Sequence, residues 1–274
     1  MKKKHSILIK TLVALAGISI TLLVLLATPL WGTVILLTFL SALCCVELCH
    51  ATGAIDIPWL KIFAAVVAAL VPWLWYFDLQ SILLPAAALL TLTVSFLAYA
   101  KRGGEYAFEK IAFLFLACIV FPCFFSLLYL ISEADNGSGL MLIPLIASWS
   151  ADTGAQFMGK AFGKHKLAPS ISPNKTVEGF IGGLVFGVIG MGIYALVLYF
   201  MSKPVRLVSL LVFGLLGALF GTAGDLFFSY VKREYKIKDF GSLMPEHGGI
   251  MDRFDSSLFV IPLLYVYMQF FPVN

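Results

Sequence analysis

Three carboxylates, Asp225, Asp252 and Asp255, bracket a charged stretch that separates two long apolar runs. From Gly221 to Asp255, 11 of 35 residues are Asp, Glu, Lys or Arg, against 12% over the whole chain. Charge beside a bilayer is costly, so it marks a functional site by default. Asp252 and Asp255 are spaced i, i+3, and they share a face if the last helix begins there. With Asp225 from the preceding helix they would form an oxygen-rich Mg²⁺ site that keeps waters for a substrate phosphate. Lys232, Arg233, Lys238 and Arg253 could neutralise phosphate oxygens, Arg as a fork and Lys as a point charge. His247-Gly248-Gly249 offers a ring and bare backbone to a ligand. A collar of snorkelling salt bridges would account for the charges, but not for the glycines or the Asp pair.

A second polar block begins inside an apolar run. Asp152, Thr153 and Gln156 sit within Ser148–Gln156. A charge at the centre of an isolated spanning helix costs about 2.5–3.5 kcal/mol on insertion scales, so Asp152 should face a cavity or a cation. The alternative is a helix–helix hydrogen-bonding cluster eased by Gly154 and Ala155. The block continues through a loop holding Lys160, Lys164, Lys166 and Lys175, with Ser172 before Pro173 and Thr176 as a helix N-cap. Lysines and backbone amides near a helix start attract phosphate. The competing reading is a basic loop that fixes topology or touches anionic lipid.

These residues must be held by membrane helices. Hydrophobic residues make up 61% of the 274, and mean hydropathy is +0.97. A soluble domain is nearer half apolar and a quarter charged. Runs of about 20 apolar residues suit spanning helices. They occur at roughly 7–27, 30–49, 58–77, 81–100, 111–131, 140–159, 177–200, 206–230 and 254–272. The expected fold is therefore an all-α polytopic integral membrane protein with about nine transmembrane helices. With the N-terminus inside, 17 of the 19 Lys and Arg fall on the inner side, leaving only Lys203 and Arg206 outside. That asymmetry predicts N-in and C-out. The first run starts Met1-Lys-Lys-Lys, and its length favours an uncleaved span over a signal peptide.

Early spans carry few polar groups, so residues 1–135 read as anchoring, with possible dimer contacts, and 136–274 as site-bearing. Glu47 and His50, one turn apart, could contribute to the site, but a local interfacial pair is the better reading. The five cysteines lie in apolar segments without metal-ligand spacing and read as buried thiols. Trp31, Trp59, Trp73 and Trp75 fit interfacial anchors. The net charge of +4 is scattered among loops, which does not suit a nucleic-acid partner.

Taken together, Ser229-x-Val231-Lys232-Arg233, Lys238-Asp239-x-Gly241 and Pro245-x-His247-Gly248-Gly249-Ile250-x-Asp252-Arg253-Phe254-Asp255 resemble the signature of the phosphatidate cytidylyltransferase (CDP-diacylglycerol synthase) family. Asp152-Thr153-Gly154-Ala155 and Leu167–Gly179 match that family's second common stretch. The resemblance covers roughly the C-terminal half. Met244 stands where Leu, Ile or Phe is usual, and Phe228 where many members have Glu, so any role of that Glu is in doubt here. The resemblance implies transfer of a cytidylyl group from CTP to phosphatidic acid, with Mg²⁺, help from a monovalent cation such as K⁺, and a homodimer. The chain's small size favours a bacterial cytoplasmic membrane over an organelle membrane, with the site on the cytoplasmic side where the Lys and Arg lie. Catalytic roles then fall to Asp225, Lys232, Arg233, Asp252, Arg253 and Asp255, with the three aspartates on the metal. Substrate binding falls to Asp152, Ser172, Lys175, Thr176, Lys238, His247, Gly248 and Gly249. Two other classes compete: a CTP-using polyprenol kinase, and a secondary transporter. Transporters place their polar sites near the midplane, whereas most charge here lies toward the inner face.

Overall fold

The computed structural model describes residues 23–24, 28–53, 55–101, 108–133, 139–241, 248–271 and 273. The expected first span, 7–27, lies outside the described residues apart from 23–24, and His247 also lies outside them. Helices dominate, because a backbone in lipid must pair its own N–H and C=O groups. Among the described residues, six helices are long and apolar enough to cross a membrane. The protein is an integral membrane protein of all-α class.

The chain divides into two compact units. The first comprises the described residues of Met1–Glu133 and Ile237–Arg253. It contains α1 (Leu30–Ala51), α2 (Pro58–Tyr76), α3 (Gln80–Ala100) and α4 (Phe108–Glu133). Helix α4 packs on α1 and α2 around Leu37, Leu48, Leu60, Leu114 and Phe125, which are all fully buried. Helix α3 lies against α2 and α4 and turns Ile82, Leu89 and Phe96 outward. Residues Leu116–Val120 of α4 form a π-helical turn just before Pro122, whose ring has no N–H to continue the α-helical ladder. Two buried hydroxyls are satisfied within their own helices: Ser95 Oγ donates to the Thr91 carbonyl at 2.6 Å and Ser126 Oγ to the Pro122 carbonyl at 2.7 Å.

The second unit comprises Ala134–Lys236 and Phe254–Asn274. It holds α5 (Ile143–Phe162), β1 (Lys166–Ala168), β2 (Ser172–Thr176), α6 (Val177–Phe200), α7 (Leu207–Glu234) and α9 (Ser257–Phe270). The four-residue α8 (Met251–Phe254) lies where the chain passes between the units. Helix α5 has 20 residues but is too polar to join the six apolar spans, and α9 has only 14. Helices α6 and α7 approach closely at Gly187 and Gly214. A Cβ on Gly187 would lie 2.7 Å from the Gly214 carbonyl, and one on Gly214 equally close to the Gly187 carbonyl. Small residues of this kind let spanning helices pack backbone to backbone.

Two expectations need correction. The loop after α5 is not irregular: β1 and β2 form an antiparallel hairpin with Lys166 opposite Thr176. Its turn closes through Ile171 N–H to the Ala168 carbonyl at 3.2 Å. Pro173 is tolerated because a two-stranded sheet has only edges. The last helix also begins later than expected. The chain makes α8, breaks at Asp255 and Ser256, and restarts at Ser257, so Asp252 and Asp255 do not share one continuous helical face.

Candidate active site

In the second unit, Asp225 lies on α7, one turn before Ser229. Ser229 Oγ donates to Asp225 Oδ1 at 3.2 Å. Lys175, on β2 immediately before the α6 N-cap, places Nζ 2.6 Å from Asp225 Oδ2. The cap is as expected: Thr176 Oγ1 accepts from the Gly179 N–H at 3.1 Å, satisfying an otherwise orphaned helix donor. Two turns along α7 from Asp225, Lys232 Nζ lies 4.0 Å from Asp255 Oδ2. Gly224 keeps this region tight, since a Cβ there would come within 2.7 Å of the Asp255 carbonyl.

Ser256 links the remaining carboxylates. Its N–H donates to Asp255 Oδ1 at 2.7 Å, and its hydroxyl to Asp152 Oδ2 at 2.9 Å. One turn before Asp152, Ser148 Oγ lies 2.7 Å from Ser257 Oγ, which fixes α5 against the start of α9. The structure thus gathers Asp152, Lys175, Asp225, Lys232 and Asp255. Three carboxylates face two ammonium groups, leaving one excess negative charge when all are ionised. A cluster short of positive charge, lined with hard carboxylate oxygens, fits Mg²⁺.

The hairpin is anchored from both sides. Arg233 Nε donates to the Ile171 carbonyl at 3.1 Å, tying the end of α7 to the turn. Glu178 Oε2 accepts the Lys164 N–H at 3.0 Å, and its Oε1 lies 2.6 Å from His165 Nδ1. Ser172 pairs with Ala168 at the turn end of β2. Sequence reasoning gave no role to Glu178 or Ser256. The acidic first-turn position of Glu178 was the available signal for the former; none marked the latter.

In the first unit, Asp252 Oδ2 accepts two backbone N–H groups, from Phe240 at 2.8 Å and Gly249 at 3.0 Å. Gly248 sits at φ +79°, which glycine adopts without strain. Lys238 and Arg253 are exposed. Glu47 does not form the expected local pair with His50. It is buried, and its two oxygens accept the N–H groups of Ile250 at 3.0 Å and Met251 at 2.9 Å. A buried carboxylate needs hydrogen-bond donors, and two adjacent backbone N–H groups at the start of α8 supply them. Among the described residues, no three carboxylate, imidazole or thiol side chains converge tightly enough to enclose a metal alone. Mg²⁺ does not require this, because it commonly binds through one or two carboxylates plus waters and substrate phosphates.

The family model described as "Cytidylyltransferase family" matches residues 8–271. The chain belongs to the cytidylyltransferase family. As a cytidylyltransferase it is a nucleotidyltransferase, and its helices place it in a membrane. A relative from Staphylococcus haemolyticus is 33% identical over 270 residues, covering 94% of this chain and 97% of its own. One from Bacillus subtilis is 41% identical over 186 residues, covering 68% of this chain and 66% of its own. One from Staphylococcus aureus is 38% identical over 195 residues, covering 71% of each. All three are named phosphatidate cytidylyltransferase. The likeness to the Staphylococcus haemolyticus protein extends the cytidylyltransferase assignment to the front helices, where the signature residues alone say nothing.

Proposed function

We propose that this chain transfers the cytidylyl group of CTP to phosphatidate, giving CDP-diacylglycerol and pyrophosphate for phospholipid synthesis. The observation that carries the reading is the near full-length likeness to a relative bearing that activity's name. The Asp–Lys cluster on α5, β2, α7 and the α8–α9 break supplies the chemistry it needs. A phosphatidate phosphate oxygen attacks the α-phosphorus of CTP. The new P–O bond forms as the bond from the α-phosphorus to the α,β-bridging oxygen breaks, and pyrophosphate leaves with that electron pair. The nucleophile is already anionic, so no strong base is required. The barrier lies in bringing two polyanions together and stabilising the leaving group.

Lys175, Lys232, Arg233 and Arg253 are assigned to the phosphates, with Lys175 passing from Asp225 to a phosphate oxygen as substrate enters. Ser172, Thr176 and Lys238 contribute to binding, and His247, Gly248 and Gly249 line the nucleotide. Asp152 orients the cluster through Ser256. Asp225, Asp252 and Asp255 would hold Mg²⁺, with a monovalent cation such as K⁺ as an accessory. When bound, Mg²⁺ neutralises phosphate charge and the leaving pyrophosphate. The distribution of Lys and Arg supports an N-in, C-out arrangement of nine spans with the site on the cytoplasmic side. The bacterial relatives support a bacterial cytoplasmic membrane. A homodimer is the proposed assembly.

The test uses purified chain, phosphatidate and CTP labelled at either the α or the γ phosphorus. Cytidylyl transfer puts only the α label into lipid. Lipid carrying the γ label would replace this reading with that of a CTP-dependent lipid kinase.

A further inference from the structure

We propose that Glu47 is a positioning residue for cytidylyl transfer: its carboxylate holds the Gly249–Met251 backbone so that Asp252 and Arg253 keep the geometry the reaction uses. This rests on the functional reading above.

Glu47 belongs to the front of the chain, 203 residues from its first partner, in a helix that otherwise reads as a membrane anchor. It is 9% exposed. Both of its oxygens are used, Oε1 on the Ile250 N–H and Oε2 on the Met251 N–H. The surrounding loop is shaped to the carboxylate. A Cβ on Gly241 or on Gly249 would run into the Glu47 carboxyl group, so both glycines leave the space it fills. Asp252 grips the same loop through the N–H groups of Phe240 and Gly249. Two carboxylates thus staple one loop, and one of the two is the residue assigned to the metal. An apolar side chain of similar volume would fill the space but leave the Ile250 and Met251 N–H groups without their acceptors. What the carboxylate gives that a leucine would not is a fixed path for the backbone one residue before Asp252.

The experiment compares wild type with Glu47→Gln and Glu47→Asp. Gln replaces one acceptor oxygen by an N–H₂ group facing a backbone N–H, so one bond is lost with little change of volume. Two readouts are taken on folded, monodisperse protein: hydrogen exchange at Ile250 and Met251, and separate KM values for CTP and phosphatidate. For Glu47→Gln the expected result is about tenfold faster exchange at these two amides and about a tenfold higher KM for CTP, with phosphatidate KM within about twofold of wild type. Glu47→Asp keeps the charge and should recover part of the CTP effect. If Glu47→Gln does not purify folded, Gly249→Ala provides the second route. Its methyl displaces the carboxylate and should raise the CTP KM, and adding Glu47→Ala should leave the KM no higher than in Gly249→Ala alone, because both changes remove the same staple; an additive rise overturns the positioning role. Unchanged exchange, or faster exchange with both KM values unchanged, overturns the positioning role. Absence of cytidylyl transfer in wild type refutes the functional reading itself, and the positioning role falls with it.

Discussion

Replacing Lys175 by Ala removes the ammonium that lies 2.6 Å from Asp225 Oδ2 and leaves the Ser229 hydroxyl still donating to that carboxylate. Hydrogen bonds to charged groups contribute about 1.5–3 kcal/mol. The two side chains are 23% and 26% exposed, so solvent screening trims the figure to about 1–2 kcal/mol. That corresponds to a fall in Tm of about 5 °C for a chain of this size. The effect on turnover should be far larger. Losing one preorganised donor to developing phosphate charge typically costs about 10²–10³ in rate. The two effects separate cleanly, because the stability loss leaves the protein folded at assay temperature. Differential scanning fluorimetry in detergent and initial rates with α-labelled CTP measure them side by side. Mg²⁺ should also raise the Tm of Lys175→Ala more than that of wild type, because the cation then meets an Asp225 relieved of its competitor. Turnover of Lys175→Ala within about twofold of wild type, with the expected Tm loss, would show the lysine to be a structural ion pair and remove it from the phosphates.

Further outcomes are expected elsewhere. Gly187→Ala pushes a methyl toward the Gly214 carbonyl, away from the residues assigned to chemistry. It should cost about 1–3 kcal/mol by chemical denaturation, with KM and kcat of the folded fraction unchanged. Arg233→Ala frees the hairpin turn from α7 and should speed proteolysis between residues 164 and 176. Arg233→Lys should not restore protection, because a lysine lacks the Nε–H that reaches the Ile171 carbonyl.

The helices were legible because their signal is local. A run such as Val177–Phe200 has one low-energy form in lipid, and Thr176 marks its start by type and position alone. Lys175 and Asp225 were both assigned to the site from residue chemistry, and the structure brings them into contact. The hairpin was not legible, because its strands are short, lysine-rich and interrupted by Pro173, so no alternating pattern appears. Nor was the break at Asp255–Ser256, because an i, i+3 pair looks helical whether or not the helix continues. Glu47 was read as a local partner of His50 rather than as part of the site. Its partners are backbone groups that carry no sequence signal, although a lone carboxylate in an apolar helix marks function by default. Asp252 shows the converse. One of its oxygens is occupied by loop N–H groups, so Asp252→Asn perturbs the loop as well as any metal.

Joint use of Asp225 and Asp252 is therefore best tested by locating the ion directly. Crystals of the full chain grown with Mn²⁺ and a non-hydrolysable CTP analogue would reveal the cation by anomalous scattering. The account predicts a peak with carboxylate oxygens of Asp225 and Asp252 at about 2.1–2.2 Å, close to Mg²⁺ coordination distances, together with triphosphate oxygens. A peak bound by the nucleotide and only one of these aspartates, or by neither, would contradict it.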